Sequence, residues 1–372
     1  MVGIVASVVY GLVGACFGQL EAGVEQATPI ALRGEIAVGE SVRAGGVVLP
    51  GRGAVDLELT RFAVHGPGLG VVVRRNGRDE AIAYDPSRVV LLRGRVAGEA
   101  DSSVFLARSD ALGVIGSIEF GGSRFGVAPV MDEHGHASLS RMRIGRSVGG
   151  GRALPCGTDT SEWTAPADPL EEAPADLMVE LAVDTDYDYF EMFDDEVRAL
   201  DYLFALYGQV SFVYARDSGI RVVLTFARLW TDPDDLYNGG QPLGEFITEW
   251  QQNMGHVHRD VAQLCSGRRD FPFGGLALLN GVCNAAAYSV CGYMGAGLGD
   301  LTIGDHMNSD LIVAAHELGH NFGSPHTQDR GLDRCHDAFA PPQRGPIMSY
   351  CGQSYSGGDA NHDARFHTDS TR

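Results

Sequence analysis

Residues 316–326 read HELGHNFGSPH. On a helix, positions four apart lie about 40° apart around the axis, so His316 and His320 face the same side and can share one metal ion. Imidazole nitrogen is a good zinc ligand. Glu317 follows the first histidine, which puts its carboxylate beside the metal without requiring it to bind. There it can act as general base toward a zinc-activated water and pass the proton on to a leaving amine. Two histidines are too few, because a catalytic zinc keeps three protein ligands and one open position. Gly323 tolerates the positive φ that ends a helix sharply, and Pro325 forbids its continuation. The chain can therefore reverse and return His326 to the metal as third ligand. A structural zinc site would instead close with four Cys or His ligands and would have no use for Glu317.

The flanking sequence from residue 176 alternates strand and helix patterns. LMVELAVDTDYDYF opens with a strand. Residues 188–216 carry a helical run with Leu200, Leu203, Phe204 and Tyr207 at spacings of three and four. GIRVVLTFARLW is a second strand. LGEFITEWQQNMGHVHRDVAQLC reads as a second helix, with Phe246, Trp250, Met254, Val257, Val261 and Leu264 on one face. GGLALLNGVC reads as a further strand, and Asn308, Ser309 and Asp310 offer N-cap oxygens to the helix of the opening motif. Downstream, GPIMSYC places Met348 22 residues after His326, where a methionine can form a polarisable apolar floor under the ligands.

AHELGHNFGSPH together with IMSYC resembles the reprolysin or adamalysin branch of the metzincins, whose signature is HExxHxxGxxH followed by a methionine turn. The resemblance spans residues 176–367. ELAVDTDYDYF, VSFVYARDSGIRVVLTFARLW, RDVAQLCSGR and FGGLALLNGVC are similar to that family's first strand, second strand, second helix and upper edge strand. More weakly, RGRVAGEADSSVFLARSDALGVIGSIEFGGSRFGVAP resembles the reprolysin propeptide. The resemblance implies a secreted zinc endopeptidase made as a zymogen, in an α/β (α+β) fold. A twisted, mostly parallel sheet lies over helices, and the zinc helix floors a cleft. It implies that Gly275, Leu276, Ala277 and Leu278 belong to the edge strand that binds extended substrate. An exposed edge offers unpaired N–H and C=O groups to a peptide. Cys156, in ALPCGTD, resembles the cysteine switch of metzincin zymogens, since a thiolate can fill the open zinc position; a disulfide is its other use. Tyr350 stands two residues after Met348 where many adamalysins have proline. As in the astacin and serralysin branches, it can ligate zinc or hydrogen-bond a developing oxyanion; plain packing is its alternative. Glu180 and Asp260 match two places of the family's Ca2+ site, whose C-terminal residues have no match here. The family's C-terminal helix has at most a short counterpart before Arg372.

The rest of the chain bounds this reading. With 28 Lys+Arg against 48 Asp+Glu the formal charge is −20, which repels nucleic acid and anionic membrane surfaces. No nucleic-acid partner and no stable membrane insertion are expected; the partner is a protein or peptide substrate. Residues 1–19 read as a signal peptide, although the usual basic n-region is missing. The stretch ending at Cys16 loosely resembles a lipoprotein cleavage site, which makes envelope anchoring a minor alternative to secretion. Residues 20–145 are short, Gly-punctuated strands and form a β-rich propeptide domain. His65, His134 and His136 are scattered there and suggest no metal site. Residues 146–175 are a linker rich in Gly, Pro, Ala and acids, and 176–372 form the protease domain. Besides Cys16, six cysteines remain: Cys156, Cys265, Cys283, Cys291, Cys335 and Cys351. An even number in an exported chain suggests disulfides, and Cys335–Cys351 is favoured because both flank the segment between His326 and the methionine turn. If Cys156 is a switch, one of the remaining five is unpaired. The alternative function is a secreted, non-catalytic zinc-binding adhesion protein on a protease scaffold.

Overall fold

A computed structural model of the chain describes residues 26–28, 30, 32, 35–131, 137–144, 155–160, 177–295, 309–335, 344–354 and 362–370. The signal segment with Cys16, most of the linker, His134, His136 and Asn308 lie outside the described residues.

Two sheets build the fold. The first has eight strands. They are β1 (Gln26–Thr28), β2 (Ser41–Leu49), β3 (Gly53–Phe62), β6 (Val90–Val96), β7 (Ser103–Ser109), β8 (Gly113–Phe120), β9 (Ser123–Met131) and β10 (Ala137–Ile144), in the order β1-β10-β9-β8-β7-β6-β3-β2. Pairing between neighbours from β10 to β2 is antiparallel, as short Gly-separated strands favour. Strand β7 and the first three residues of β6 are buried on both faces. Val90, Leu92, Val104 and Leu106 face one core, formed with Leu57, Leu59, Ile118 and Phe125. The alternate residues Leu91, Phe105 and Ala107 face a second core, shared with the helix α2 described next.

The second sheet has seven strands, ordered β14-β15-β13-β11-β12-β4-β5. Its centre is parallel: β11 (Met178–Thr185) lies between β12 (Arg221–Trp230) and β13 (Val261–Cys265), and β15 (Tyr288–Cys291) lies beyond β13. The outer strand β14 (Gly275–Ala277) is antiparallel to β15. At the other edge, β4 (His65–Arg75) pairs in parallel with β12 and carries β5 (Arg78–Ala81) on its outer side. These two strands come from the region read as a self-contained β-domain and instead extend the second sheet. The helical run divides into α1 (Tyr187–Glu191) and α2 (Glu196–Asp217), each N-capped by an aspartate, Asp186 and Asp195. Leu200, Leu203, Phe204 and Tyr207 of α2 are buried as expected. The opposite face of the sheet is covered by α3 (Pro242–Asn253), through Phe246 and Trp250.

The second helix is shorter than its periodicity suggests. It ends at Asn253, just before Met254-Gly255, and Val261–Cys265 is a strand. All five residues of that strand are buried between two parallel neighbours. A strand buried on both faces is a continuous run of small and apolar residues, which helical spacing also fits. The resemblance of RDVAQLCSGR to a family helix fails for the same reason. The motif helix, α4 (Ser309–Asn321), lies against β14 and β15. Asp310 Oδ2 accepts from Gly295 N at 2.7 Å and from the Tyr202 hydroxyl.

Candidate metal centre and cleft

At the end of α4 the structure brings His316, His320 and His326 together. The Nε2 atom of His320 lies 3.1 Å from Nε2 of His316 and 3.1 Å from Nε2 of His326. The helix supplies the first pair. Gly323, at φ +89°, turns the chain after Asn321 and returns the third. The outer ring nitrogens are engaged elsewhere. Nδ1 of His316 lies 2.7 Å from the Ile347 carbonyl, and Nδ1 of His320 lies 2.8 Å from the Ser324 carbonyl. Nδ1 of His326 lies 3.0 Å from Thr160 Oγ1, whose hydroxyl donates to Asp329. Carbonyl partners make Nδ1 the protonated nitrogen, so the Nε2 lone pairs face one another. Burial reinforces the neutral form, lowering His316 and holding His320 down to about 3. Converging lone pairs repel unless a cation lies between them. Two nitrogens about 2.0 Å from one zinc in tetrahedral array stand about 3.3 Å apart. The donor set fits zinc.

The fourth direction is filled by Cys156, whose Sγ lies 3.5 Å from His320 Nε2 and 3.5 Å from Glu317 Oε2. Burial, with the Glu317 carboxylate beside it, pushes this thiol well up. The Thr158 N–H, 3.3 Å from Sγ, opposes that rise, and a cation at the centre would favour the thiolate further. Glu317 is fully buried, and burial raises its carboxyl to about 8. Its side chain lies directly against Gly275, where any Cβ would collide with the carboxylate.

The edge strand is shorter than the sequence reading: β14 is Gly275–Ala277, and Leu278 lies beyond it, although its N–H still reaches the Tyr288 carbonyl at 3.1 Å. Residues Pro155–Thr160 run beside β14. Cys156 forms a parallel bridge to Gly275, Gly157 N donates to the Gly275 carbonyl at 2.8 Å, and Gly274 N donates to the Pro155 carbonyl at 2.8 Å. Thr158 Oγ1 accepts from Ala277 N at 2.8 Å and approaches Glu317 Oε2 at 3.4 Å. The alternating residues Cys156, Thr158 and Thr160 all point into the site. This period-two pattern stood in CGTDT, and the sequence reading missed both threonines. It missed Asp329 as well, and Asn321, whose Nδ2 donates to the Leu278 and Tyr288 carbonyls at 2.9 Å each.

Met348 is fully buried against α4 at Gly319, and its carbonyl accepts from Thr327 N at 2.9 Å. Tyr350 packs against His326 in a tilted pair, ring centroids 4.3 Å apart, and donates to the Cys156 carbonyl at 3.1 Å. Cys335 and Cys351 form a disulfide. The other disulfide candidates do not pair. Cys265 and Cys291 are buried free thiols opposite each other on β13 and β15, with the Tyr207 hydroxyl 3.1 Å from Cys265 Sγ. Cys283 is exposed and free, 3.4 Å from an Asp260 oxygen. The calcium expectation finds no support. The Glu180 carboxylate pairs with His258 at 2.7 Å, Asp260 Oδ2 accepts from Glu180 N at 2.9 Å, and among the described residues neither joins a cluster of three ligand-type side chains. Among the described residues no helix is long and apolar enough to cross a membrane.

Residues 176–362, half of the chain, match metallo-peptidase family M12 in its reprolysin form, and the chain belongs to that family. Among solved structures it is similar to metalloproteinase-II from Bacteroides fragilis, at 11% identity over 86% of both chains with a TM-score of 0.44. It is also similar to archaemetzincin from Methanopyrus kandleri, at 16% identity over 52% of this chain and 92% of that one, with a TM-score of 0.34. The family makes this a metallopeptidase acting on protein or peptide.

Proposed function

We propose that the protein is a secreted zinc endopeptidase of the reprolysin kind, exported by residues 1–19 and held latent by the segment around Cys156. The observation that carries this reading is the convergence of His316, His320 and His326 Nε2 beside a buried Glu317, with a substrate-type strand edge pressed against that glutamate. A zinc ion on the three histidines would supply an acidified water and a Lewis acid for the scissile carbonyl.

The chain's own residues do the rest. Once Pro155–Thr160 withdraws, the Gly275 carbonyl and the Ala277 N–H are free to pair with an extended peptide. Glu317 takes a proton at its carboxylate and delivers it to the leaving nitrogen. Tyr350 already donates to a backbone carbonyl lying in the cleft, that of Cys156; toward substrate the same hydroxyl stabilises charge developing on the carbonyl oxygen. Residues 20–145 serve as propeptide, 146–175 as linker and 176–372 as protease.

The test uses full-length wild-type chain and full-length Cys156→Ala, with metal content measured on both. Both should carry zinc. The variant should hydrolyse an unfolded protein at least tenfold faster, and a chelator should abolish that activity. Absence of zinc, or hydrolysis indifferent to chelation, would refute the reading.

A further inference from the structure

We propose that cutting the linker does not release the N-terminal sheet: residues 26–144 remain a bound subunit of the protease, and the latch leaves only after cuts on both sides of Cys156. This rests on the latent-protease reading above. Four observations carry it.

The first is the sheet. β4 pairs with β12 from His65↔Leu224 to Arg74↔Trp230, and bonds beyond the ladder extend this seam. Thr231 N and Oγ1 donate to the Arg74 carbonyl at 3.1 and 2.8 Å, and Gly77 N donates to Asp232 Oδ2 at 2.8 Å. Without β4, β12 is an open edge. The second is the core. Val71, Val73, Leu91 and Phe105 of the N-terminal region share one buried cluster with Leu203, Phe204 and Tyr207 of α2. The third is charge. Asp201 of α2 is fully buried, and its carboxylate is met by Tyr84 at 2.8 Å and Arg88 at 2.9 Å, both from the N-terminal region. Arg75 pairs with Glu196 at 2.8 Å, and Arg365 pairs with Glu119 at 2.7 Å. A buried carboxylate stripped of both partners opposes separation. The fourth is connectivity. Pro155–Thr160 lies between residues 145–154, which lead to the N-terminal sheet, and 161–176, which lead to β11.

The consequence is arithmetic. A cut within 161–176 leaves Cys156 tethered to a sheet that stays bound. A cut within 145–154 leaves it tethered to β11. A tether of roughly ten to sixteen residues holds its end at an effective concentration on the order of millimolar, far above that of a free peptide released from micromolar enzyme. Either single cut therefore leaves the thiol in the site, and both cuts set a short peptide free to diffuse away.

The experiment inserts two different site-specific protease recognition sequences into the full-length chain, one between Arg146 and Arg152 and one between Thr164 and Pro169. Unchanged thermal unfolding of the uncut chain controls for folding. Size exclusion after each cut reports association, maleimide labelling of Cys156 followed by mass spectrometry reports the latch, and hydrolysis of an unfolded protein reports the cleft. The expected result is co-elution of the N-terminal and protease pieces after one cut and after two. Labelling should stay within twofold of the uncut rate after either single cut, and rise at least tenfold after both. Elution of the N-terminal piece on its own after the downstream cut would overturn the proposal. So would labelling after that cut as fast as after both. Absence of hydrolysis in every form would count against the latent-protease reading alone, because elution and labelling decide retention independently.

Discussion

Glu317 is buried against Gly275 and beside three neutral imidazoles. In its proposed role as general base and acid rather than ligand, it should be removable without loss of metal. In the unlatched chain, Glu317→Ala should keep its zinc while kcat falls by about 10²–10⁴; metal analysis beside the rate measurement checks both halves, and loss of zinc would make Glu317 a ligand. A second residue reports on pH. Burial raises the carboxyl of Asp186 from 3.8 to about 7, against hydrogen bonds from Ser266, Gly267 and Tyr189 that oppose the rise. The unfolded chain then loses this proton first. Stability falls as pH climbs from about 4 to about 7 and levels off above, by at most roughly 4 kcal/mol. Asp186→Asn should flatten that slope in urea unfolding at pH 5 and pH 8; an unchanged slope would show that Asp186 is ionised throughout. The ligands and Glu317 were legible because helical spacing alone puts His316 and His320 together, and Gly323 announces the turn that returns His326. Thr160 was not legible, because its place between His326 Nδ1 and Asp329, themselves 3.4 Å apart, depends on the linker returning to the site.

At the scale of the element, the motif helix and the edge strand are built as one piece. The chain after β14 caps the end of α4: Asn280 N donates to the His320 carbonyl at 2.9 Å, and Gly281 N donates to the Asn321 carbonyl at 2.7 Å. Asn321 ties the same helix to the Leu278 and Tyr288 carbonyls. Truncating it leaves two carbonyls without these donors, which costs about 1–3 kcal/mol, and loosens β14, the strand proposed to receive substrate. Asn321→Ala should therefore unfold at lower urea and raise KM more than it lowers zinc content. A normal KM would mean that the clamp does not set the strand. Helix α4 and the strands β11 and β12 were readable from periodicity. The boundary between α3 and β13 was not, because Val257, Val261 and Leu264 keep a helical interval across a chain that has already turned at Gly255. Only burial on both faces of β13 distinguishes the two readings, and burial is a property of neighbours.

At the scale of the molecule, one core joins the N-terminal strands to α2, and the chain should unfold as a unit. Tyr84→Phe, which removes a donor from buried Asp201, should lower stability by about 1–3 kcal/mol. Fluorescence and hydrolytic activity of the unlatched chain should shift together; separate transitions would mean two independent bodies. Gly-punctuated strands before residue 130 were evident from sequence. The departure of β4 and β5 to the second sheet was not, since a period of two marks a strand but does not name its partner. That partner is far away along the chain: His65 lies opposite Leu224. Closing so long a loop is slow, yet in the intact chain it is an internal event that any single molecule can repeat. Once the backbone has been cut between the two strands, the same pairing becomes a meeting of strangers, limited by dilution. The protein thus carries a history. On the latent-protease reading proposed above, a molecule unfolded by heat before it is cut can return to its starting point, whereas a cut one that opens is lost, and its working life is a clock set by how rarely it opens.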